Sequence, residues 1–310
     1  MPSRTPSSTK PPLRLAVSGS SGFVGTALVA AAHRRGHDVI RLVRRCPSNV
    51  GEIQWHPGEP FTPDPRLEGL DAVVHLAGAG VADRRWTRRR KAVLRSSRVD
   101  ATRFLSDALL QLERPPPAFV QASATGIYGD RGDEVLTEQS STGTGFLADL
   151  ATDWEHASGS LTHAGFRVAL IRIGMVIGQG GAIARMRPIF RMGLGGHLGR
   201  GTQWVSWIAL SDLVEVLLRS CCDAALSGPI NAVSPNPVTN RAFTKEFARA
   251  CHRRAFLPAP APLLRMGMGQ MAGALLLASQ RCQPAVLAEQ GFQPRYATLR
   301  SALNCTQDAS

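Results

Sequence analysis

The chain has 310 residues, 44% hydrophobic and 19% charged, enough apolar content to bury a core and too much for a disordered chain. Its 36 Lys+Arg against 23 Asp+Glu leave a formal net charge of +13, and only three of those cations are lysines: Lys10, Lys91 and Lys245. No apolar run approaches the roughly 18–20 residues of a membrane-spanning helix, so no membrane partner is expected. Residues 1–12 (MPSRTPSSTKPP) are Pro/Ser/Thr-rich and read as a disordered tail rather than a targeting segment. The six cysteines form no CxxC and complete no zinc spacing, which fits reduced thiols in a cytoplasmic protein and gives no metal site.

Order begins with the short apolar run 13–18 (LRLAVS), which reads as a strand. The loop Gly19-Ser20-Ser21-Gly22-Phe23-Val24-Gly25 follows, then an Ala-rich helix over 26–35 stopped by Gly36, then a strand over 38–43. Such a unit of about 30 residues implies parallel strands. The alternation continues with a strand at 71–76, a long helix over 88–112, a strand at 118–124, a helix over 145–164 and a strand at 166–173. Past residue 178 the pattern changes to a Gly-, Arg- and Met-dense stretch through 201. A helix over 211–222, a short strand at 229–234, a helix over 240–253, a Pro-rich hinge at 258–262 and an apolar helix over 263–279 complete the reading. The fold class is α/β: a doubly wound parallel sheet at 13–178, with later core elements returning near 204–234. A smaller α/β substrate lobe follows at 179–304, including a C-terminal helical domain at 250–304.

Gly19, Gly22 and Gly25 stand between a strand and a helix, the context in which such spacing binds a dinucleotide. The first glycine lets the chain turn, the second lets backbone approach a pyrophosphate, and the third lets helix and strand pack closely. An NAD site usually carries an acid about 20 residues further on. Here Arg44 stands 19 residues after Gly25, with no acid in that place. A cation there suits the 2′-phosphate of NADP. The small-residue turn Leu76-Ala77-Gly78 ends the next strand, where a cofactor passes the carboxyl edge of a parallel sheet.

These motifs, with Arg172-Ile-Gly-Met-Val-Ile-Gly178, resemble extended short-chain dehydrogenases/reductases. A narrower resemblance rests on Ala82-Asp-Arg-Arg-Trp86, Ser97-Arg98, Tyr128-Gly-Asp-Arg-Gly-Asp-Glu134, Asp153-Trp154-Glu155, Trp204-Val-Ser-Trp-Ile208 and Asn231-Ala-Val-Ser-Pro-Asn-Pro237. It points to an atypical epimerase-like branch, described as sugar-nucleotide epimerases with a C-terminal domain of their own, and covers roughly 13–304. The resemblance implies an NADP(H)-binding Rossmann domain. Gly19, Ser21, Gly22, Phe23, Val24 and Gly25 would hold the pyrophosphate and Arg44 the 2′-phosphate. Leu76, Ala77 and Gly78 would line the adenosine side. Arg98 would reach back toward the cofactor, and Val176, in the loop beyond the strand at 166–173, would lie near the nicotinamide. Dimerisation through a helix pair is common in that superfamily, so a homodimer stays open.

The usual catalytic pair of that superfamily is Tyr-x-x-x-Lys, in which the ammonium lowers the phenol pKa. Neither Tyr128 nor Tyr296 has Lys four residues later, so the pair is absent. The helix that should carry it has Phe146 and Leu150 instead. The remaining catalytic candidates are Ser123, at the end of the strand at 118–124, and Tyr128, five residues on; each also has a structural reading, Ser123 as a strand-end hydroxyl bonded to backbone and Tyr128 as a partly buried loop aromatic. Asp130, Asp133 and Glu134 read as turn formers and solvated charge, and Asp153 and Glu155 as exposed charge around Trp154.

Residues 156–211 contain six arginines and no acid. Arg172 with Arg167, Arg185, Arg187, Arg191 and Arg200 is expected to form a positive wall for a small anionic ligand, for which a nucleotide sugar, a phosphate or a CoA-like substrate would fit. The run Arg84–Lys91 places six cations in eight residues. It carries one aromatic and no nucleic-acid-binding signature, so nucleic acid is not expected as a partner. Two functions follow: an NADP(H)-binding epimerase-like oxidoreductase, or a catalytically silent NADPH-binding sensor or partner-binding protein.

Overall fold

The computed structural model describes residues 11–306, so the first ten residues of the expected tail lie outside the described residues. The chain runs β1 (Arg14–Ser18), α1 (Phe23–Arg34), β2 (Asp38–Val43), β3 (Glu52–Gln54) and β4 (Ala72–His75). Then come α2 (Arg88–Ser96), α3 (Val99–Leu109), β5 (Ala118–Ala124), β6 (Val135–Leu136), α4 (Phe146–His156), α5 (Gly159–His163) and β7 (Arg167–Ile173). The strands β1, β2, β3, β4, β5 and β7 join a seventh, β11 (Gly228–Ala232), in one sheet of order β11-β7-β5-β4-β1-β2-β3. Every pairing in it is parallel. The chain leaves β1 to one side and returns to β4 on the other, so the ends of β1 and β4 form the switch point where a doubly wound sheet opens a crevice.

Alternation along each strand sorts side chains to two faces. Leu15 and Val17 of β1 and Val120 of β5 pack with Leu28 of α1, and with Leu213 and Leu217 of α7 (Leu210–Cys222). Ala16 and Phe119, one register on, pack with Leu105 and Leu109 of α3 and Leu161 of α5. Each such Leu or Val contributes about 1.5–3 kcal/mol by leaving water.

A second core lies beyond β7. There β8 (Met175–Ile177) pairs with β10 (Trp207–Ala209), and β9 (Trp204–Val205) with β12 (Val238–Thr239). These pack with α6 (Gly181–Arg191), α8 (Asn240–Ala250) and α12 (Leu299–Cys305) around Ile183, Phe190, Trp207, Phe247 and Leu303. Between α8 and α12 lie α9 (Ala261–Met268), the short α10 (Gln270–Ala272), β13 (Arg281–Cys282) and α11 (Ala285–Glu289). The tail of this lobe returns toward the first core: β13 pairs with β6 in a separate two-stranded ladder, and Glu138 accepts the N–H groups of Ala285 and Val286 at 3.2 and 3.3 Å and that of Asn231 on β11 at 2.9 Å.

Several expectations are corrected. The long helix over 88–112 is two helices that meet at a turn over Ser97 and Arg98, where Arg98 is pulled to φ −117° and the Ser97 hydroxyl accepts the Ala79 N–H at 3.1 Å. The helix over 145–164 also breaks, at Ser158, whose hydroxyl bonds back to the Glu155 carbonyl. The apolar helix over 263–279 is interrupted at Gly269, with φ +61°. Val176 lies within the strand β8, opposite Ile208, rather than in a loop. Helix α6, inside the Gly/Arg/Met stretch, and β3, too short and too charged to announce itself, were not legible in the sequence.

Candidate functional site at the switch point

Gly19 ends β1 with φ +66°, and a Cβ there would sit 2.8 Å from the Leu76 carbonyl carbon and oxygen. The third glycine is tighter still: a Cβ on Gly25 would lie 2.2 Å from the Gly19 oxygen. The two glycines let the β1 turn nest between the first turn of α1 and the end of β4. Helix α1 begins at Gly22 with no side-chain cap and no acid in its first turn, leaving its positive end uncompensated. The Phe23 ring is crossed by the loop after β8, where a Cβ on Gly178 or Gly180 would fall 2.6 or 2.3 Å from it. That explains the glycine-dense start of the second lobe. Ser21 is exposed on the turn, and Val24 packs inward on the core.

Arg44, just past β2, is exposed and makes no ion pair among the described residues. Its neighbours are committed elsewhere. Arg45 donates to both oxygens of the buried Glu52 at 2.8 and 2.6 Å, and Arg41 reaches the same carboxylate at 3.3 Å. Arg45, then the Ser48 N–H, hold the Glu52 carboxyl down to about 2. The acid on the neighbouring strand therefore engages Arg45 and Arg41 and leaves Arg44 open.

Below the crevice the Ser18 hydroxyl meets His75 Nδ1 at 2.7 Å and accepts the Leu76 N–H at 3.2 Å, fixing where β4 ends. His75 is fully buried between Trp55 and Phe119, and burial pushes its pKa down to about 3. Beyond Leu76 and Ala77, Gly78 leaves room for the Arg98 guanidinium, whose Cζ would lie 3.1 Å from a Cβ there. Arg98 rests on the Trp154 ring at 5.1 Å and donates to the Leu94 carbonyl at 3.2 Å, with no carboxylate partner among the described residues. Burial, then repulsion from Arg90, brings its pKa down to about 10.

The catalytic candidates are drawn into one buried polar network. Ser123 donates to Glu155 Oε1 at 2.6 Å. Arg172, on β7, forks onto both Glu155 oxygens at 2.9 and 2.8 Å and donates to the Tyr128 hydroxyl at 2.9 Å. Tyr128 donates in turn to Asn231 Oδ1 at 2.8 Å. Ser123 is 3% exposed and Tyr128 0%, so neither hydroxyl faces solvent. Burial pushes the Tyr128 phenol up to about 12, against the opposing pull of Arg172. Sequence reasoning missed Glu155 and Asn231 here, because both signals are tertiary: Glu155 belongs to the network and not to an exposed surface.

At the place of the absent Tyr-x-x-x-Lys, Leu150 is buried, and Phe146 meets Trp86 edge-on at 5.0 Å. Lys91 Nζ stands 4.7 Å over the Phe146 ring and bonds Gln270 Oε1 at 2.5 Å. The aromatic pair packs on the same buried cluster, around Leu94, Leu150 and Trp154, as Leu76, Ala79 and Ile173. The expected wall of six arginines is not formed. Arg172 is buried on Glu155, Arg185 pairs with Asp83, and Arg167 donates to the carbonyls of Ser220, Cys221 and Leu226. The acidic loop is structural: Asp130 and Asp133 accept from the Ser279 N–H at 3.0 Å and Trp204 Nε1 at 2.7 Å, and Glu134 pairs with Arg131.

Comparison with known proteins gives the geometry a family. An epimerase family protein of Mycobacterium bovis is 44% identical over 292 residues, covering 93% of this chain and 96% of its own. Human epimerase family protein SDR39U1, crystallised with NADPH, is 31% identical at a TM-score of 0.85, covering 96% of this chain and 99% of that one. A structure described as a nucleoside-diphosphate sugar epimerase of Corynebacterium glutamicum is 40% identical at a TM-score of 0.78, over 94% of this chain and 57% of that one. Residues 259–304 match a domain of unknown function, DUF1731. Residues 15–231 match the NAD dependent epimerase/dehydratase family, and the chain belongs to that family.

Proposed function

We propose that this protein is an NADP(H)-dependent, epimerase-like oxidoreductase acting on a small anionic substrate of the nucleotide-sugar type. The observation that carries the reading is Arg44, exposed and without a carboxylate partner in the place where an NAD site needs an acid. The loop fits the cofactor, since side chains on Gly19 or Gly25 would fill it. NADP(H), when bound, supplies or accepts a hydride. The backbone of Gly19, Ser21, Gly22, Phe23, Val24 and Gly25 would hold the pyrophosphate, and Arg44 the 2′-phosphate. Leu76, Ala77 and Gly78 would line the cofactor's path, with Arg98 behind them and Val176 toward the nicotinamide.

Ser123 and Tyr128 take a positioning role in this reading. A phenol held near 12 is a poor base at neutral pH, and both hydroxyls are spent on Glu155, Arg172 and Asn231. The same observation favours a second reading, an NADPH-binding protein without turnover. The six cysteines are free, which fits a cytoplasmic site of action under either reading.

Titration with NADPH and NADH tests the cofactor assignment. Arg44→Asp should weaken NADPH by about tenfold to a hundredfold and reverse the preference toward NADH. An unchanged preference refutes the role given to Arg44. A panel of carbonyl compounds and nucleotide sugars, followed by nicotinamide absorbance, separates the two readings: no turnover of any member with NADPH bound leaves the silent binder.

A further inference from the structure

Eleven large apolar side chains of the described residues are well exposed, and seven of them fall in two segments distant in sequence. Ile189, Met192 and Leu194 lie at and just past the end of α6. Phe256 and Leu257, with Leu263 and Met266 on α9, form the other group, Phe256 being 70% and Met266 74% exposed. The two segments touch. A Cβ on Gly196 would lie 1.8 Å from the Leu257 oxygen, Leu198 bridges Ala259, and Arg253 donates to the Arg191 carbonyl at 2.9 Å. Helix α9 reads APLLRMGM and buries no residue at all. An apolar helix with no buried face has its burying partner elsewhere.

The charge of this face is one-sided. Residues 156–211 contain no acid, and residues 247–288 contain none either. Arg191, Arg200, Arg253, Arg254 and Arg265 are exposed there and form no ion pair among the described residues. Beside them Arg187 and Arg191, one turn apart on α6, line a cavity of about 390 Å³ with Gln179 and Thr306. A second copy of the chain would set these arginines against their own images across a two-fold axis. Protruding Phe, Leu and Met on segments that also carry exposed arginines without carboxylate partners match a surface that is anionic outside and apolar just beneath.

We propose that this face, formed by the end of α6 and the segment 253–266, docks on an anionic phospholipid bilayer. Phe256, Leu257, Leu263 and Met266 enter the headgroup–acyl boundary, while Arg253, Arg254 and Arg265 meet lipid phosphates. The docking is peripheral. No helix among the described residues is long and apolar enough to cross a membrane. The proposal is independent of turnover and of cofactor choice.

Vesicle flotation tests it, with the full chain and either phosphatidylcholine vesicles or the same vesicles carrying phosphatidylglycerol. Binding to the anionic vesicles alone, weakened by added salt, is expected. Phe256→Ser with Met266→Ser should reduce it about tenfold or more. Arg253→Glu with Arg254→Glu should reduce it by a similar factor. Both pairs are exposed, and unchanged melting temperature and NADPH affinity would show the fold intact. Failure to bind anionic vesicles overturns the proposal. So does binding that the Ser pair leaves unchanged, which is adsorption by charge alone. A concentration-dependent dimer abolished by the same Ser pair also overturns it, in favour of a contact between copies.

Discussion

Replacing Glu155 by Gln would leave the Arg172 guanidinium charged, buried and without its counter-charge. Both side chains are 7% exposed, so water cannot take over the role of the carboxylate. Removing one partner of a buried pair typically costs about 3–5 kcal/mol. Unfolding entropy of about 2.1 cal/mol/K per residue gives about 0.65 kcal/mol/K for a chain of this length, so the melting temperature should fall by about 5–8 °C. The Gln amide retains one acceptor for Ser123 and Arg172, which puts the loss toward the lower end. Adding Arg172→Met removes the stranded charge and should restore about half or more of the lost stability. Thermal and urea unfolding of the two single variants and the double one measure this cycle. A Gln variant within about 1 kcal/mol of wild type, or a double variant that loses the sum of the singles, refutes the view that this pair ties α4 to β7.

Gly25→Ala should cut NADPH affinity by about a hundredfold or more, because its Cβ would meet the Gly19 oxygen at 2.2 Å and α1 must move off the loop; binding within about threefold of wild type by fluorescence titration would contradict the packing argument. His75 makes stability fall in acid. Its pKa is about 3 folded and 6.5 free, so the unfolded chain binds the proton first and the stability His75 confers, present above 6.5, is lost progressively as pH falls toward 3. The slope attributable to it approaches about 1.4 kcal/mol per pH unit, and the urea midpoint of His75→Gln should fall less steeply than wild type over that window. Tyr128→Phe should lower stability by about 1–2 kcal/mol, by stranding an Arg172 donor and the Asn231 acceptor, and leave the pH profile of any activity unshifted; a shifted profile would return Tyr128 to proton transfer.

Local order was written plainly in the sequence. Asp38–Val43 and Ala118–Ala124 are strands to the residue, because each is a short run holding Val with Ile or Phe, too short for a buried helix and bounded by residues that break one. The Gly19–Gly25 spacing likewise placed the crevice, since a backbone contact that admits no Cβ leaves its mark as glycine. Counting two tyrosines and three lysines excluded the usual catalytic pair without any structure. What the sequence determined is therefore the doubly wound sheet, the turn that opens it, and the chemistry that is missing there.

Only the tertiary structure decided where the charges go. Arg172 and Glu155 are 17 residues apart and look alike as surface charges, yet they meet as a buried pair because α4 packs on β5, and β7 is the next strand of the sheet, with Arg172 opposite Ser123. Arg44 and Arg45 are adjacent and chemically identical, and Glu52 on the neighbouring strand takes one and leaves the other. The arginine-rich stretch looked like a single positive wall and is dispersed over the ion pairs, carbonyls and open face that the fold brings to each residue. Propensity and glycine spacing act within a few residues of chain. Partner choice depends on the distances between elements, and those are set only when the layers pack.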